Sequence, residues 1–218
     1  FAIAAFAVTF MLGSVCITGC NRKQGGAGKK RMVLVVKASE SEFWQIVIDG
    51  ARHAANDLGI DLVAQAAVSE ADVMKQISIF ENAISSRPDA LILAPTSYDS
   101  LVPAMETAME EKIPLIMIDS AANTDQYTSF LASDNVKIGE LSAECMAKAL
   151  TKRNGKPAGK IAIISFISGA ASLVKRKSGF LKVIGDKYPG IEIVDSRDAQ
   201  GKSGASMDIV QDILTKYP

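Results

Sequence analysis

The sequence predicts an α/β protein built as two similar lobes, each a parallel sheet flanked by helices. Three observations lead there. Short uninterrupted apolar runs alternate along the chain with stretches whose apolar residues recur at helical spacing. The alternation restarts near residue 160, and 48% apolar residues in a chain of 218 supply enough material for a packed core. Strands that are apolar on both faces belong in parallel sheets covered by helices on each side.

Met32 to Val36 reads as the first such strand. Phe43, Ile46, Val47, Gly50, Ala51, Ala54 and Leu58 then recur at helical spacing, and Gly59 can end that helix in a left-handed turn. Ile60 to Ala64 makes the second strand. Ser69 and Asp72 have the form of a capping box with Asp in place of Glu, opening a helix that carries Val73, Ile77, Phe80 and Ile84 and closes at Pro88. Ala90 to Ala94 is a third strand, Leu101 to Lys112 a helix, Pro114 to Ile118 a fourth strand, and Thr128 to Ala132 a further one. Asp134-Asn135 supplies the N-cap for a helix from Val136 to Leu150, on whose apolar stripe Cys145 is expected as a buried small residue.

In the second half, Lys160 to Ile164 parallels the first strand, and the helix through Val174, Phe180, Leu181 and Ile184 parallels the first helix. Gly190-Ile-Glu-Ile-Val194 likewise parallels Gly59-Ile-Asp-Leu-Val63. Two strands and two helices are too little to bury a sheet on both faces, so the second lobe is expected to be truncated. The organisation that follows is a leader over 1–19, a flexible tether over 20–30, an N-terminal lobe over 31–133 and an incomplete C-terminal lobe over 134–218.

Phe1 to Gly19 carries no charge and has the apolar core of a secretory signal. It ends in Ile17-Thr18-Gly19-Cys20, which resembles the lipobox of bacterial lipoproteins, and that resemblance implies cleavage before Cys20 and lipidation of its thiol. The alternative is an uncleaved membrane helix, since a run of this length is just able to span. The Gly- and charge-rich segment after Cys20 suits a tether.

Composition excludes several functions. Lys+Arg 24 against Asp+Glu 24 leaves no net field to gather nucleic acid. His53 is the only histidine and no Cys-x-x-Cys pair exists, so neither a metal site nor a cofactor is expected. The segment Lys37 to Trp44 contains no glycine, so no dinucleotide loop follows the first strand, and no Ser/His or Cys/His pairing suggests an enzyme.

Ligands of open parallel sheets bind beyond the carboxyl ends of the strands. There the chain places Lys37 to Trp44, Pro95 to Asp99, Asp119 to Asn123 and Ser165 to Ser172. Phe43 and Trp44 offer rings to the C–H faces of a sugar, and Asp119 offers two acceptor oxygens to its hydroxyls. Both aromatics have a competing reading as core residues, and Asp119 one as a turn residue.

Together these segments resemble the periplasmic ribose-binding protein family, the sugar-binding group of type I periplasmic binding proteins, over Lys30 to Pro218. The resemblance is carried by Phe43-Trp44 with Asp49-Gly50, by Ile113 to Asp119, by Ala132-Ser-Asp-Asn135 and by Arg176-x-x-Gly-Phe180. It implies two Rossmann-like lobes that close on a monosaccharide or derivative. The lobes would deliver it to the transmembrane subunits of an ABC import permease, with the protein a monomer held outside the cell membrane by lipid on Cys20. A coreceptor for a chemoreceptor or sensor kinase is the alternative. Phe43, Trp44 and Asp119 take the family's ligand-contacting roles. Lys37, Ser41 and Ser120 stand where ribose binders carry a small hydroxyl residue, an Asn and an Arg, and Arg176 lies two positions beyond the family's sugar-contacting arginine. Lys37 is expected either to face the cleft, replacing the cation lost at 120 and admitting a sugar acid, or to face solvent.

Overall fold

The computed structural model describes residues 28–217. Its elements run β1 (Arg31–Val36), α1 (Glu42–Leu58), β2 (Asp61–Ala66), α2 (Val73–Ser85), β3 (Ala90–Leu93), α3 (Val102–Glu110), β4 (Leu115–Ile118), β5 (Ser129–Leu131), α4 (Asn135–Asn154), β6 (Gly159–Ser165), α5 (Ala171–Lys187), β7 (Ile191–Asp198) and α6 (Ser203–Lys216). The first lobe is a parallel sheet in the order β2-β1-β3-β4-β5, and the second a parallel pair, β6-β7.

Alternation along β1 explains why the first sheet is covered on both sides. Val33 and Val35 join Leu91, Leu93, Leu115 and Met117 against Phe80 of α2 and Met105 of α3. Leu34 and Val36 point the other way, onto Trp44 and Ile48 of α1. Because β1 has β2 on one side and β3 on the other, the chain reverses its direction of winding there. A crevice therefore opens beyond the carboxyl ends of β1 and β3.

Local signals work as the residue types dictate, with one change of register. Gly59 ends α1 at φ 66°, its N–H returning to the carbonyls of Ala55 and Asn56. The capping box at 69–72 does not form: Asp72 itself is the N-cap of α2, accepting from the Lys75 N–H, while Ser69 Oγ accepts from Ala71 N–H in the turn before it. With Ser69 engaged in that turn, the helix starts about one turn later, at the equally good cap Asp72. Asp134 caps α4 by accepting from Lys137 N–H.

In the second lobe α4 and α5 cross at backbone contact. A Cβ on Gly139 would lie 1.9 Å from the Arg176 carbonyl oxygen, and one on Gly179 would lie 2.1 Å from that of Val136. The stripe Gly139, Ala143, Ala147 faces this core, with Ile161, Val183, Ile184 and Ile191. Cys145, two positions off that stripe, is exposed, which corrects the expectation that it is buried. No helix among the described residues is long and apolar enough to cross a membrane. Cys20 and the apolar leader lie outside the described residues.

Candidate functional site

Gln76 of α2 braces the crevice from beneath. Its Nε2 donates to the carbonyls of Val36 (3.2 Å) and Ala94 (2.9 Å), and its Oε1 accepts from Thr96 N–H (2.9 Å), all within the interior. One fully buried side chain thus ties the ends of β1 and β3 together and fixes where Lys37 and Thr96 leave the sheet.

Lys37, the first residue after β1, is only 3% exposed. Its ammonium lies 2.7 Å from Asp119 Oδ2, donates to Ser120 Oγ at 2.7 Å and sits 5.7 Å from the centre of the Trp44 ring. Asp119 follows β4 with φ 65°, a left-handed conformation that aspartate tolerates better than most residues, and this turn carries Ser120 inward. Ser120 Oγ is 2.9 Å from Asp119 Oδ2 and 2.9 Å from Ser172 Oγ at the start of α5. A hydroxyl has one proton and two lone pairs, so with Lys37 donating to it, its proton goes to the carboxylate and the Ser172 hydroxyl donates in turn. Lys37, Asp119, Ser120 and Ser172 therefore form one satisfied knot joining the two lobes.

Two cavities lie near the strand ends, and only the smaller is lined by members of this knot. The larger, about 480 Å³, lies between the lobes. Ser41, Phe43, Ser69 and Glu70 line it from the first lobe, and Phe166, Gly201 and Ser203 from the second. The smaller, about 150 Å³, is lined by Asp119, Ala132 to Val136, Ser172 and Lys175 among others.

The residues chosen from sequence are thus only partly brought together. Phe43, 58% exposed, and Ser41 line the larger cavity. Trp44 does not face the cleft beside Phe43: at 2% exposed it packs with Leu34, Val36 and Ile48 under α1, its Nε1 donating to Glu70 Oε1 at 2.8 Å. Successive residues on a helix point about 100° apart, so Phe43 and Trp44 could not share one face. They meet edge to face, with centroids 5.0 Å apart. Asp119 lines the smaller cavity, and one of its oxygens is already engaged, which corrects the expectation of two free acceptors. Arg176 stands apart from both cavities. Because α5 turns it toward α4, its Nε donates to Asn135 Oδ1 (2.7 Å) and so braces a lining residue of the smaller cavity.

Sequence reasoning missed Gln76, Glu70 and, as individual residues, Phe166 and Ser172. The strand-end rule could have found Glu70, since it lies in the loop after β2, and it had already drawn the bounds of the segment holding Phe166 and Ser172. Gln76 carried a signal that was overlooked: three residues after Val73 and four before Phe80, it stands on the apolar face of α2, where a polar side chain must find buried partners.

The family model described as periplasmic binding protein domain matches residues 32–218. The chain is similar to a carbohydrate transporter solute binding protein of Agrobacterium radiobacter solved with D-arabinose, at 36% identity and TM-score 0.86, covering 88% of this chain and 65% of that one. It is also similar to a solute binding protein of Agrobacterium vitis solved with D-fucose, at 33% identity and TM-score 0.78, covering 85% of this chain and 63% of that one. The ribose import binding protein of Bacillus subtilis is 27% identical over 223 residues, which is 98% of this chain and 70% of the relative. That of Salmonella typhimurium is 26% identical over 190 residues, 87% of this chain and 61% of its own length. With its matched domain, its paired parallel sheets and its cleft at their carboxyl ends, the chain belongs to the periplasmic binding protein family.

Proposed function

We propose that this chain is an extracytoplasmic solute-binding protein, not an enzyme. It captures a small polar ligand of the monosaccharide class between two lobes, 31–133 and 134–218, and passes it to the transmembrane subunits of an ABC import permease. The observation that carries the reading is the interlobe cavity of about 480 Å³, with Phe43 on one wall and Phe166 on the other. Its volume falls in the range of small-molecule sites, about 300–1,000 Å³. Two rings suit the C–H faces of a sugar, and Ser41, Ser69, Ser203 and Glu70 supply hydrogen-bonding groups for its hydroxyls. The sugars printed with the two Agrobacterium proteins support the same ligand class. Binding to both lobes at once stabilises the closed arrangement by its differential affinity, and no covalent step is required.

Isothermal titration of the full chain with D-arabinose, D-fucose, D-ribose and D-allose tests this. At least one should bind, and Phe43→Ala and Phe166→Ala should each weaken it by about tenfold, the effect of losing an aromatic wall. No heat with any of the four, or a double variant that binds as the parent does, refutes the reading. The anchor is tested separately: mass spectrometry of the protein extracted from membranes should find an N-terminus at Cys20 bearing diacylglycerol, and an intact 1–19 leader favours an uncleaved helix instead.

A further inference from the structure

We infer that Arg176 sets the hinge: acting through Asn135, it holds the crossing between the lobes in the arrangement that lets them meet, and so raises ligand affinity without touching the ligand. The inference rests on the two-lobe capture reading above and adds to it the residue that positions the closing segment.

The crossing is three residues long, Ala132, Ser133 and Asp134, between the end of β5 at Leu131 and the start of α4 at Asn135. A rotation of one lobe against the other is absorbed by the backbone dihedral angles of such a segment. Asn135 is 6% exposed, and its amide works in two directions. Its Oδ1 accepts from Arg176 Nε at 2.7 Å, and its Nδ2 donates to the Ser133 carbonyl at 3.2 Å. The orientation of that carbonyl is set by ψ of Ser133 and φ of Asp134, which are angles the hinge must change to open.

Arg176 supplies what Asn135 lacks by itself. The last torsion of an asparagine side chain is broad and roughly two-fold, so a free amide can turn away from Ser133. With Arg176 donating to Oδ1, the nitrogen end stays aimed at the crossing. The arginine is anchored in turn: a Cβ on Gly139 of α4 would lie 1.9 Å from its carbonyl oxygen, so its backbone is pressed against α4 whatever its side chain does. Ser172, one turn earlier on α5, is the second-lobe partner of Ser120 at 2.9 Å. Residues four apart are neighbours on a helix surface, so one side of α5 carries both the contact between the lobes and the grip on the crossing. Both are made together in this structure, and the grip therefore belongs to the arrangement in which the lobes touch.

The test uses three side chains that put different atoms at one point. Counted from Cα, the fourth atom is Nε in arginine, Nε2 in glutamine and Cε in methionine. Arg176→Gln thus keeps the donor and loses the charge, and Arg176→Met keeps the length and loses both. Asn135→Asp keeps the acceptor for Arg176 and loses the donor to Ser133. Closure is read by energy transfer from Trp44, the only tryptophan, to a dye on the exposed Cys145 of the second lobe, in a full chain with Cys16 and Cys20 replaced by serine. Affinity is measured by isothermal titration with D-arabinose, D-fucose, D-ribose and D-allose. Ligand-free Arg176→Met and Asn135→Asp should each move the transfer away from its ligand-bound value. Each should also weaken the sugar that binds by about five- to tenfold, the share of one hydrogen bond, chiefly through faster dissociation. Arg176→Gln should match the parent in both. A packing role alone would lower the second-lobe unfolding midpoint and leave the transfer of the folded protein unmoved. Should Arg176→Met fail to fold, the contrast between Arg176→Gln and Asn135→Asp carries the same comparison. Transfer unmoved in Arg176→Met, a glutamine that behaves as methionine does, or an Asn135→Asp that behaves as the parent overturns the inference and leaves sugar capture intact. Binding without any change of transfer in the parent overturns it too, and no binding by any of the four sugars overturns the capture reading with it.

Discussion

Replacing Gln76 by leucine should unfasten the floor of the cleft without touching any residue that lines it. The native side chain makes three buried hydrogen bonds, two as donor and one as acceptor, to backbone groups at the ends of β1 and β3. Each is worth about 1 kcal/mol net, and each backbone group left unpaired in the interior costs about 1–3 kcal/mol. Leucine returns part of this through apolar burial, about 1–2 kcal/mol. Counting only the three net bonds, about 3 kcal/mol, less this return, the loss is at least about 1–2 kcal/mol, and with a urea m-value of about 2 kcal/mol/M the midpoint should fall by at least about 0.5–1 M. Trp44 is the only tryptophan of the chain and is buried in the same lobe, so its fluorescence follows this transition apart from that of the second lobe. Gln76→Glu is the sharper variant. It retains the acceptor for Thr96 but sets a carboxylate against two carbonyl oxygens, and it should cost more than leucine. An unchanged midpoint for leucine, or a glutamate tolerated equally well, would refute the account of this side chain as a donor to both strands.

Gly139→Ala places a methyl where the Arg176 carbonyl already stands at 1.9 Å, and backbone cannot give way as a side chain can. A loss of about 2 kcal/mol or more should appear in the second-lobe transition by circular dichroism, with the Trp44 transition unmoved. Hydrogen bonds from Arg197 hold the Asp195 carboxyl below its ordinary value of 3.8. The stability contributed by that pair is therefore complete above the ordinary value and is lost as pH falls through the lowered one. Arg197→Met removes the partner of both Asp195 and Asp212 and should lower the thermal midpoint at about pH 7, with the gap to the parent shrinking as acid protonates the carboxylates; a gap that stays constant with pH would show that the guanidinium acts by packing alone. Ser172→Ala removes the hydroxyl that meets Ser120 between the lobes and should weaken ligand binding about five- to tenfold, at about 1 kcal/mol for the lost bond, with no change in the Trp44 unfolding midpoint. Unchanged affinity would mean that this bond does not distinguish the closed arrangement.

The strands were legible because a parallel sheet needs uninterrupted apolar runs, and β1, β3 and β4 are such runs. Helix ends were legible where one residue type has a mechanical reason to be there, as with Gly59 and Asp134. What composition could not give was which side of a helix a particular residue takes. Trp44 and Cys145 were each assigned to the wrong side, and in both cases the winning stripe was set by a partner from another element: the β1 face for Trp44, and the crossing with α5 for Cys145. The α4–α5 crossing itself depends on two glycines, 139 and 179, that stand far apart in the chain, and nothing local marks them as facing one another. The rule that places ligands at strand ends drew two of the segments that line the interlobe cavity, those after β1 and β6, and its application left out the residues after β2 and β7.

The charge arrangement and the contact between the lobes bear on the same question, namely what a ligand must supply. Beyond the covalent crossing between β5 and α4, two hydrogen bonds join the strand-end loops of the lobes among the described residues: Tyr98 N–H to the Gly169 carbonyl at 3.1 Å, and Ser172 with Ser120 at 2.9 Å. At about 1 kcal/mol each they favour closure by about 2 kcal/mol, comparable with the freedom the lobes lose by docking. The two arrangements are then close in free energy, and a ligand touching both Phe43 and Phe166 needs a differential affinity of only a few kcal/mol to decide between them. Ser120 can take part in this because Lys37 and Asp119 have already neutralised each other around it. An unpaired Asp119 would draw water or a cation into the contact and hold the loops apart. The buried pair thus favours closure, because the interlobe bond forms at a contact whose charges already offset each other.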